Sequence, residues 1–329
     1  MAAIYKSDRR TFVKTVSSAA LGTALLPVSS KAISTPAKVP TRILGRTGEE
    51  VSLLGMGGFH VGDPSIPDET AIQIIRDSID GGVNFMDNAW MYKKGRAETI
   101  MGRALKDGYR ERVFLMTKVY ATTVDEVKEQ METCLKRFDM DRVDLVQFHA
   151  VGSKEGFVDT IYKSGLIEWS EEMRSQGVFK YIGFTGHSDP KAHVDMIERG
   201  YPWDTTQMPL NPGDYHRNYS FEKDVLPLAL KNNIGVIAMK SNGMGKLGKS
   251  KIGTPAEGLR YAMSLPVSTV VSGIDSLDIL AENLSAFQNF KPLSDEERTE
   301  FLARAEGESD TIEGYRKKFY DKDKNLITG

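Results

Sequence analysis

The 329-residue sequence predicts a single-domain (β/α)8 barrel of the TIM type. Eight short apolar runs alternate with longer stretches of helical periodicity across about 250 residues, the order in which a parallel barrel is built. Three of these runs end on, or just before, a polar residue: Asp87, Lys118 and His149. In a parallel barrel those ends share one face. A doubly wound sheet would need a Gly-rich turn after its first strand, and Gly55-Met56-Gly57-Gly58-Phe59-His60 lacks the third glycine of that turn.

Taken in order, residues 51–57 form the first predicted strand. Residues 68–80 place Ala71, Ile74, Ile75 and Ile79 at helical spacing. A strand at 83–86, a helix at 97–105 and a strand at 113–117 follow. The next helix, 124–138, lines Val127, Met131, Cys134, Leu135 and Phe138 along one side. Residues 143–148 are a strand and 160–176 a helix. The fifth strand is 180–184, and Pro190 lies in the first turn of the helix that runs to 199. The sixth is 204–208, followed by a helix at 221–231 that Pro227 should kink or restart. The seventh is 234–239. Thr254 caps a helix whose first residue is Pro255. The eighth strand, 267–272, leads into the last barrel helix at 277–287. Beyond 290 the chain is highly charged, with a helix at 296–305 and a polar stretch from 311 expected to wrap the surface.

Composition is that of an ordinary soluble chain, 40% hydrophobic and 27% charged, with net charge −2, so nothing favours nucleic acid. The lone cysteine, Cys134, excludes an intrachain disulfide and a cysteine-ligated cluster. The first residues read as a twin-arginine signal: Arg9-Arg10, Phe12, a weakly apolar run over 13–26, then Pro27 and small residues, with Ser30-Lys31-Ala32 offering a cleavage site. The run is too short for a comfortable membrane span. The expected organisation is a signal and linker over 1–36, the barrel over 37–290 and a charged helical extension over 291–329. The mature chain would be exported through the twin-arginine translocon, to the periplasm or its equivalent. That route carries folded proteins, which suits an enzyme loaded with cofactor in the cytoplasm.

Tyr92 follows Asp87 by five residues. A phenol with its usual pKa of ~10 is a poor donor at neutral pH, and a nearby ammonium lowers that value. A carboxylate keeps the lysine charged and placed, while a histidine can hold a carbonyl oxygen. Together such groups protonate a developing alkoxide. Singly, a strand-end aspartate caps a helix and a lysine or histidine is structural; the combination and the spacing point to chemistry. At these four residues the sequence resembles the aldo/keto reductase family, over roughly residues 42–290. The resemblance implies hydride transfer between a nicotinamide cofactor and a carbonyl or alcohol. Tyr92 would be the general acid or base, Lys118 would lower its pKa, Asp87 would pair with Lys118, and His149 would orient the carbonyl.

The resemblance also implies a cofactor site. Thr185 fits its carboxamide-contacting hydroxyl, with Gly186 where the family has asparagine, and Gln207 fits its carboxamide glutamine. Ala238-Met239-Lys240-Ser241 lies where the family stacks an aromatic on the nicotinamide, so with Met239 and Lys240 there the stacking is lost or supplied otherwise, and Glu282-Asn283 fits the adenine pair. Gly58 and Gly243 are further expected cofactor contacts. Residues 243–250 match a phosphate-loop pattern, yet helix signals return only at Thr254-Pro255; they read instead as a basic loop closing over a pyrophosphate. After the eighth strand, residues 272–279 carry Asp275 and Asp278 but no Lys or Arg, which leans the cofactor toward NAD(H) over NADP(H). His60, Trp90, Tyr120 and His187 are candidates for the substrate pocket. His187, Asp189 and His193 do not repeat a known metal-ligand spacing, so no metal is expected. Two other functions share these residues: a non-catalytic cofactor-binding barrel, and a sugar oxidoreductase whose NAD never leaves.

Overall fold

The computed structural model describes residues 39–250 and 252–317; the predicted signal and the end of the extension lie outside them. The described chain enters through an antiparallel hairpin, β1 (Thr41–Ile43) and β2 (Glu50–Ser52), in register Thr41↔Ser52. Eight parallel strands then close a barrel: β3 (Leu54–Gly57), β4 (Phe85–Asp87), β5 (Phe114–Val119), β6 (Leu145–Phe148), β7 (Tyr181–Thr185), β8 (Thr205–Pro209), β9 (Gly235–Met239) and β10 (Thr269–Gly273). β10 pairs with both β9 and β3, so no barrel edge is left open. The predicted (β/α)8 barrel is the observed fold.

Side chains alternate across a strand, and that period of two decides what fills the barrel. Phe114, Met116 and Lys118 share one face of β5, and Phe85 and Asp87 one face of β4. Leu145, Gln147 and, just beyond the strand, His149 do the same on β6. The lower members, Phe85, Phe114, Met116, Leu145 and Ile237, form one apolar cluster. Its rings stack at 5.6 Å (Phe85–Phe114) and 5.9 Å (Phe114–Tyr181). Above it Gln147 Nε2 donates to Thr205 Oγ1 at 2.9 Å. The upper members are polar: Asp87, Lys118, His149, Thr185 and Gln207. One register therefore packs the floor and raises the polar groups to the mouth.

The hairpin plugs the floor. Leu44 and Val51 are fully buried members of the same cluster, each stabilising by about 1.5–3 kcal/mol relative to exposure. Gly45 makes the approach feasible: at φ +52° a Cβ there would fall 2.2 Å from Gly235 N. A second, larger core lies between strands and helices and includes Ile74, Ile75, Met101, Val127, Met131, Cys134 and Phe138. The helix Val124–Phe138 begins where Thr123 accepts from Glu126 N and ends at Asp139, in the left-handed conformation. Thr254 and Glu257 form the reciprocal capping box of Pro255–Ser264.

Several boundaries differ from expectation. The predicted first strand is two elements: residues 50–52 turn away into the hairpin and only Leu54–Gly57 joins the barrel. The helix expected over 160–176 is broken into Phe157–Lys163 and Leu166–Ser175, because Gly165 adopts φ +79°. Pro227 restarts its helix as expected: a π-helical turn, Phe221–Val225, precedes Leu226–Lys231. The basic loop after β9 contains one helical turn, Lys246–Lys249. The segment from 311 does not simply wrap the surface, since Ile312, Glu313 and Tyr315 are buried. Tyr315 Oη accepts from Asn211 Nδ2 at 3.2 Å and donates to Glu313 Oε1 at 2.7 Å.

Candidate active site

The barrel mouth gathers the four predicted residues. Lys118 Nζ lies 2.5 Å from Asp87 Oδ1, 2.8 Å from the Asn88 carbonyl oxygen and 3.2 Å from Tyr92 Oη. Lys118, Asp87 and His149 are buried. The ring of Tyr92 stands edge-on to His149 at 5.9 Å and to Phe59 at 5.3 Å. Three successive left-handed residues follow it: Lys93 at φ +51°, Lys94 at φ +54° and Gly95 at φ +91°. The first two are sterically costly for residues with a Cβ. Lys93 is held there by Asp63 at 2.7 Å and by the face of Phe59 at 4.1 Å. That turn lets the chain leave the strand end while the phenol points back at Lys118.

A supporting layer was not legible in the sequence. Gln207 Nε2 donates to Asp87 Oδ1 at 3.2 Å. Trp90 N donates to the Lys118 carbonyl at 3.0 Å, and Arg137 Nη1 donates to the Trp90 carbonyl at 2.7 Å. Arg137 also pairs at 3.0 Å with buried Glu98, which accepts from Thr117 Oγ1 at 2.7 Å. Glu98, Thr117 and Arg137 come from three separate elements, and nothing in their local spacing announces the network.

The electrostatics correct one expectation. Burial, and next the charge of Asp87, push the Tyr92 phenol well above 10 rather than below it. The Lys118 charge is matched by Asp87 at 2.5 Å, so desolvation dominates at the phenol. Tyr92 is thus a neutral, protonated donor. Burial, with Lys118 and Lys240 adding, pushes His149 well below 6.5, so its imidazole is neutral at pH 7.

The sequence model of the aldo/keto reductase family matches residues 53–258. The chain belongs to the aldo/keto reductase family. It is 30% identical over 243 residues to the uncharacterized oxidoreductase YrpG of Bacillus subtilis, spanning 64% of this chain and 70% of that one. Among solved structures, an aldo-keto reductase from Bacillus halodurans in its holo form superposes with a TM-score of 0.69 at 24% identity, covering 82% of this chain and 97% of that chain. An aldo/keto reductase from Klebsiella pneumoniae in complex with NADP and acetate gives a TM-score of 0.65 at 22% identity, covering 80% and 94%.

In this aldo/keto reductase, Gln207 and Gly58 of the expected cofactor residues lie against Asp87 or its loop, and the others end or follow the later strands or sit on the helix Leu277–Gln288. Thr185 Oγ1 and Gln207 Oε1 are buried without a hydrogen-bond partner among the described residues. Gly58 opens a short helix against the Asp87 loop, where a Cβ would meet Asp87 O at 2.8 Å. Ser241 is buried. Gly243, at φ +54°, packs against Ile312, whose carbonyl oxygen a Cβ would meet at 2.3 Å. Asp275 and Glu282 are exposed, whereas Asn283 is buried and donates to Ser272 Oγ at 3.2 Å. Lys240, at φ +54°, is half-buried, and burial with Lys118 brings it down to about 8.

The four pocket candidates divide. His187 is buried, 5.7 Å from the His149 ring, and held well below 6.5 by burial. His60 is exposed and lies against Gly273, where a Cβ would meet its ring at 2.3 Å. Trp90 is half-buried with its ring 6.0 Å from the Arg137 guanidinium, and Tyr120 leans on Phe157 at 4.9 Å. Two surface grooves lie elsewhere, one lined by Arg42, Ile43 and Leu230, the other by Lys191, Arg217 and Tyr219. Among the described residues no group of three His, Cys, Asp or Glu could hold a metal ion. Asp189 caps the helix Pro190–Glu198, and His193 Nε2 lies 3.4 Å from the Gln207 carbonyl oxygen.

Proposed function

We propose that this chain is a nicotinamide-dependent carbonyl reductase, reversible as an alcohol dehydrogenase, in which Tyr92 moves the proton. The observation that carries this reading is the buried Lys118 ammonium, in contact with both Asp87 and Tyr92. Thr185 Oγ1 and Gln207 Oε1, buried and unpartnered among the described residues, suit a carboxamide, so the residues fit a nicotinamide and these two would hold it. The cofactor, when bound, supplies or accepts the hydride.

In reduction the neutral Tyr92 phenol gives its proton to the developing alkoxide. Neutral His149 donates a hydrogen bond to the carbonyl oxygen before the transfer. Lys118 stabilises the phenolate left behind, and Asp87, steadied by Gln207, holds Lys118 in place. In oxidation the same groups act in reverse.

We read the cofactor as NAD(H). Residues 272–279 bring two carboxylates and no cation, and exposed Asp275 can accept from a free ribose hydroxyl. The NADP complex of the Klebsiella protein argues for a nicotinamide dinucleotide and against this finer preference. The test is to purify the protein, denature it and identify the released nucleotide. Released NAD(H) supports the reading, and released NADP(H) overturns the preference. An empty protein that binds neither nucleotide overturns the reductase reading in favour of a non-catalytic barrel.

We further propose export by the twin-arginine translocon, on the strength of Arg9-Arg10 and the apolar run after them. Replacing both arginines by lysine should leave the protein in the cytoplasmic fraction. Unchanged fractionation would remove the signal.

A further inference from the structure

We propose that Arg137, anchored by the buried carboxylate of Glu98, is a positioning residue for the reaction: it fixes the loop that carries Tyr92 and so sets the phenol against Lys118. This rests on the reductase reading and extends it to two residues on the surrounding helices.

Tyr92 lies beyond the end of β4, so its place depends on how residues 88–95 are tied down. Trp90 is held through both of its backbone groups. Its N–H donates to the Lys118 carbonyl at 3.0 Å, and its carbonyl accepts from Arg137 Nη1 at 2.7 Å. Three residues past Tyr92, Gly95 at φ +91° lies directly on the guanidinium, where a Cβ would overlap Arg137 Nε. Arg137 thus touches the loop on both sides of Tyr92. The left-handed backbone of Lys93 and Lys94 lies between these two contacts, and such backbone persists only where its surroundings hold it.

Arg137 is itself anchored. The same Nη1 pairs with Glu98 at 3.0 Å, and Glu98, whose side chain is fully buried, accepts from Thr117 Oγ1 at 2.7 Å. Thr117 precedes Lys118 on β5 and therefore faces the other side of the strand. Glu98 and Arg137 come from the helices Arg96–Ala104 and Val124–Phe138, which meet closely at Gly102, where a Cβ would overlap the Phe138 carbonyl. One carboxylate therefore joins the strand that bears Lys118 to the arginine that holds the Tyr92 loop. Its charge also favours the Lys118 ammonium. Stability alone is a weak reason for a buried ion pair, because apolar residues of similar volume stabilise as well or better. An apolar pair could not donate to the Trp90 carbonyl, and Nη1 makes that bond and the Glu98 bond together.

The experiment compares the wild type with Arg137→Lys and with the double variant Arg137→Met/Glu98→Gln, in which no carboxylate is left buried alone. Reduction of 4-nitrobenzaldehyde gives kcat and KM, fluorescence gives cofactor Kd, urea unfolding gives stability, and mass spectrometry gives hydrogen exchange over residues 88–95. The double variant should lose roughly 10- to 100-fold in kcat, as a displaced catalytic group does, with KM and cofactor Kd close to wild type. Exchange should quicken over residues 88–95 and stay as in the wild type over the helix Pro255–Ser264. Arg137→Lys should restore part of kcat, since one ammonium can donate both bonds that Nη1 makes. A folded double variant with wild-type kcat would overturn the proposal. So would a loss carried by KM or by cofactor Kd, or an Arg137→Lys variant no better than the double one. Should the double variant not fold, Glu98→Gln takes its place: lower kcat at unchanged KM supports the proposal and wild-type kcat overturns it. If the wild type reduces the aldehyde with neither nucleotide, the reductase reading fails for this probe and exchange decides. Quickening confined to residues 88–95 then sustains the positioning of the loop, and unchanged exchange removes it.

Discussion

Lys118 and Asp87 form an ion pair 2.5 Å long whose side chains are 1% and 4% exposed. Such a pair repays its desolvation only while both members are present. Lys118→Met would leave the buried carboxylate with Gln207 as its remaining side-chain donor among the described residues. Unfolding in urea should show a loss of about 3–5 kcal/mol for the single variant. The double variant Lys118→Met/Asp87→Asn should be less destabilised than the single one. Equal losses would mean the pair is not coupled.

Tyr92→Phe removes the proton donor and little else, since the ring keeps its edge contacts with His149 and Phe59. Turnover should fall by roughly 10²- to 10⁴-fold, the usual worth of general acid catalysis. Fluorescence titration should show cofactor still binding. Retained turnover would end the proposed mechanism.

His193 sets an acid limit on stability. It is fully buried, and burial brings it down to about 4 from 6.5. The unfolded chain then binds the proton that the folded chain refuses, so stability is lost as pH falls from about 6.5 to about 4. The loss from this residue should approach roughly 3 kcal/mol. His149 and His187 shift in the same direction. Urea midpoints at pH 7 and pH 4.5 should diverge less in His193→Gln than in the wild type.

Gly243→Ala tests the docking of the C-terminal segment. The new methyl would meet the Ile312 carbonyl at 2.3 Å in a left-handed backbone. A cost of about 1–3 kcal/mol is expected from the overlap. Limited proteolysis should cut near residues 309–317 sooner than in the wild type. An unchanged cleavage pattern would show that the loop and the segment part without consequence.

Much of this molecule was written locally. The helix at 124–138 was legible because its apolar spacing and its Thr123 cap lie within one window. Asp87, Lys118 and His149 were legible because each ends an apolar run. The failures share a cause. Residues 50–57 read as one strand because nothing local shows that 50–52 pair with 41–43. The direction of the Tyr92 shift was missed because burial and the matching of Lys118 by Asp87 are properties of the assembled mouth. Tyr315, more than seventy residues from Lys240 in the chain, gives no local sign that it stands beneath it.

The sequence alone determined the strand and helix order, and hence the barrel. Periods of 2 and 3.6 residues are local, and eight repeats of that alternation favour closure. It also determined which polar residues reach the mouth, since the period that sends Phe114 and Met116 inward sends Lys118 inward too. Only the tertiary structure decided how those groups are charged and held. Burial, ion pairing and the insertion of the C-terminal segment arise between residues far apart in the chain, and electrostatic energies depend on that three-dimensional neighbourhood.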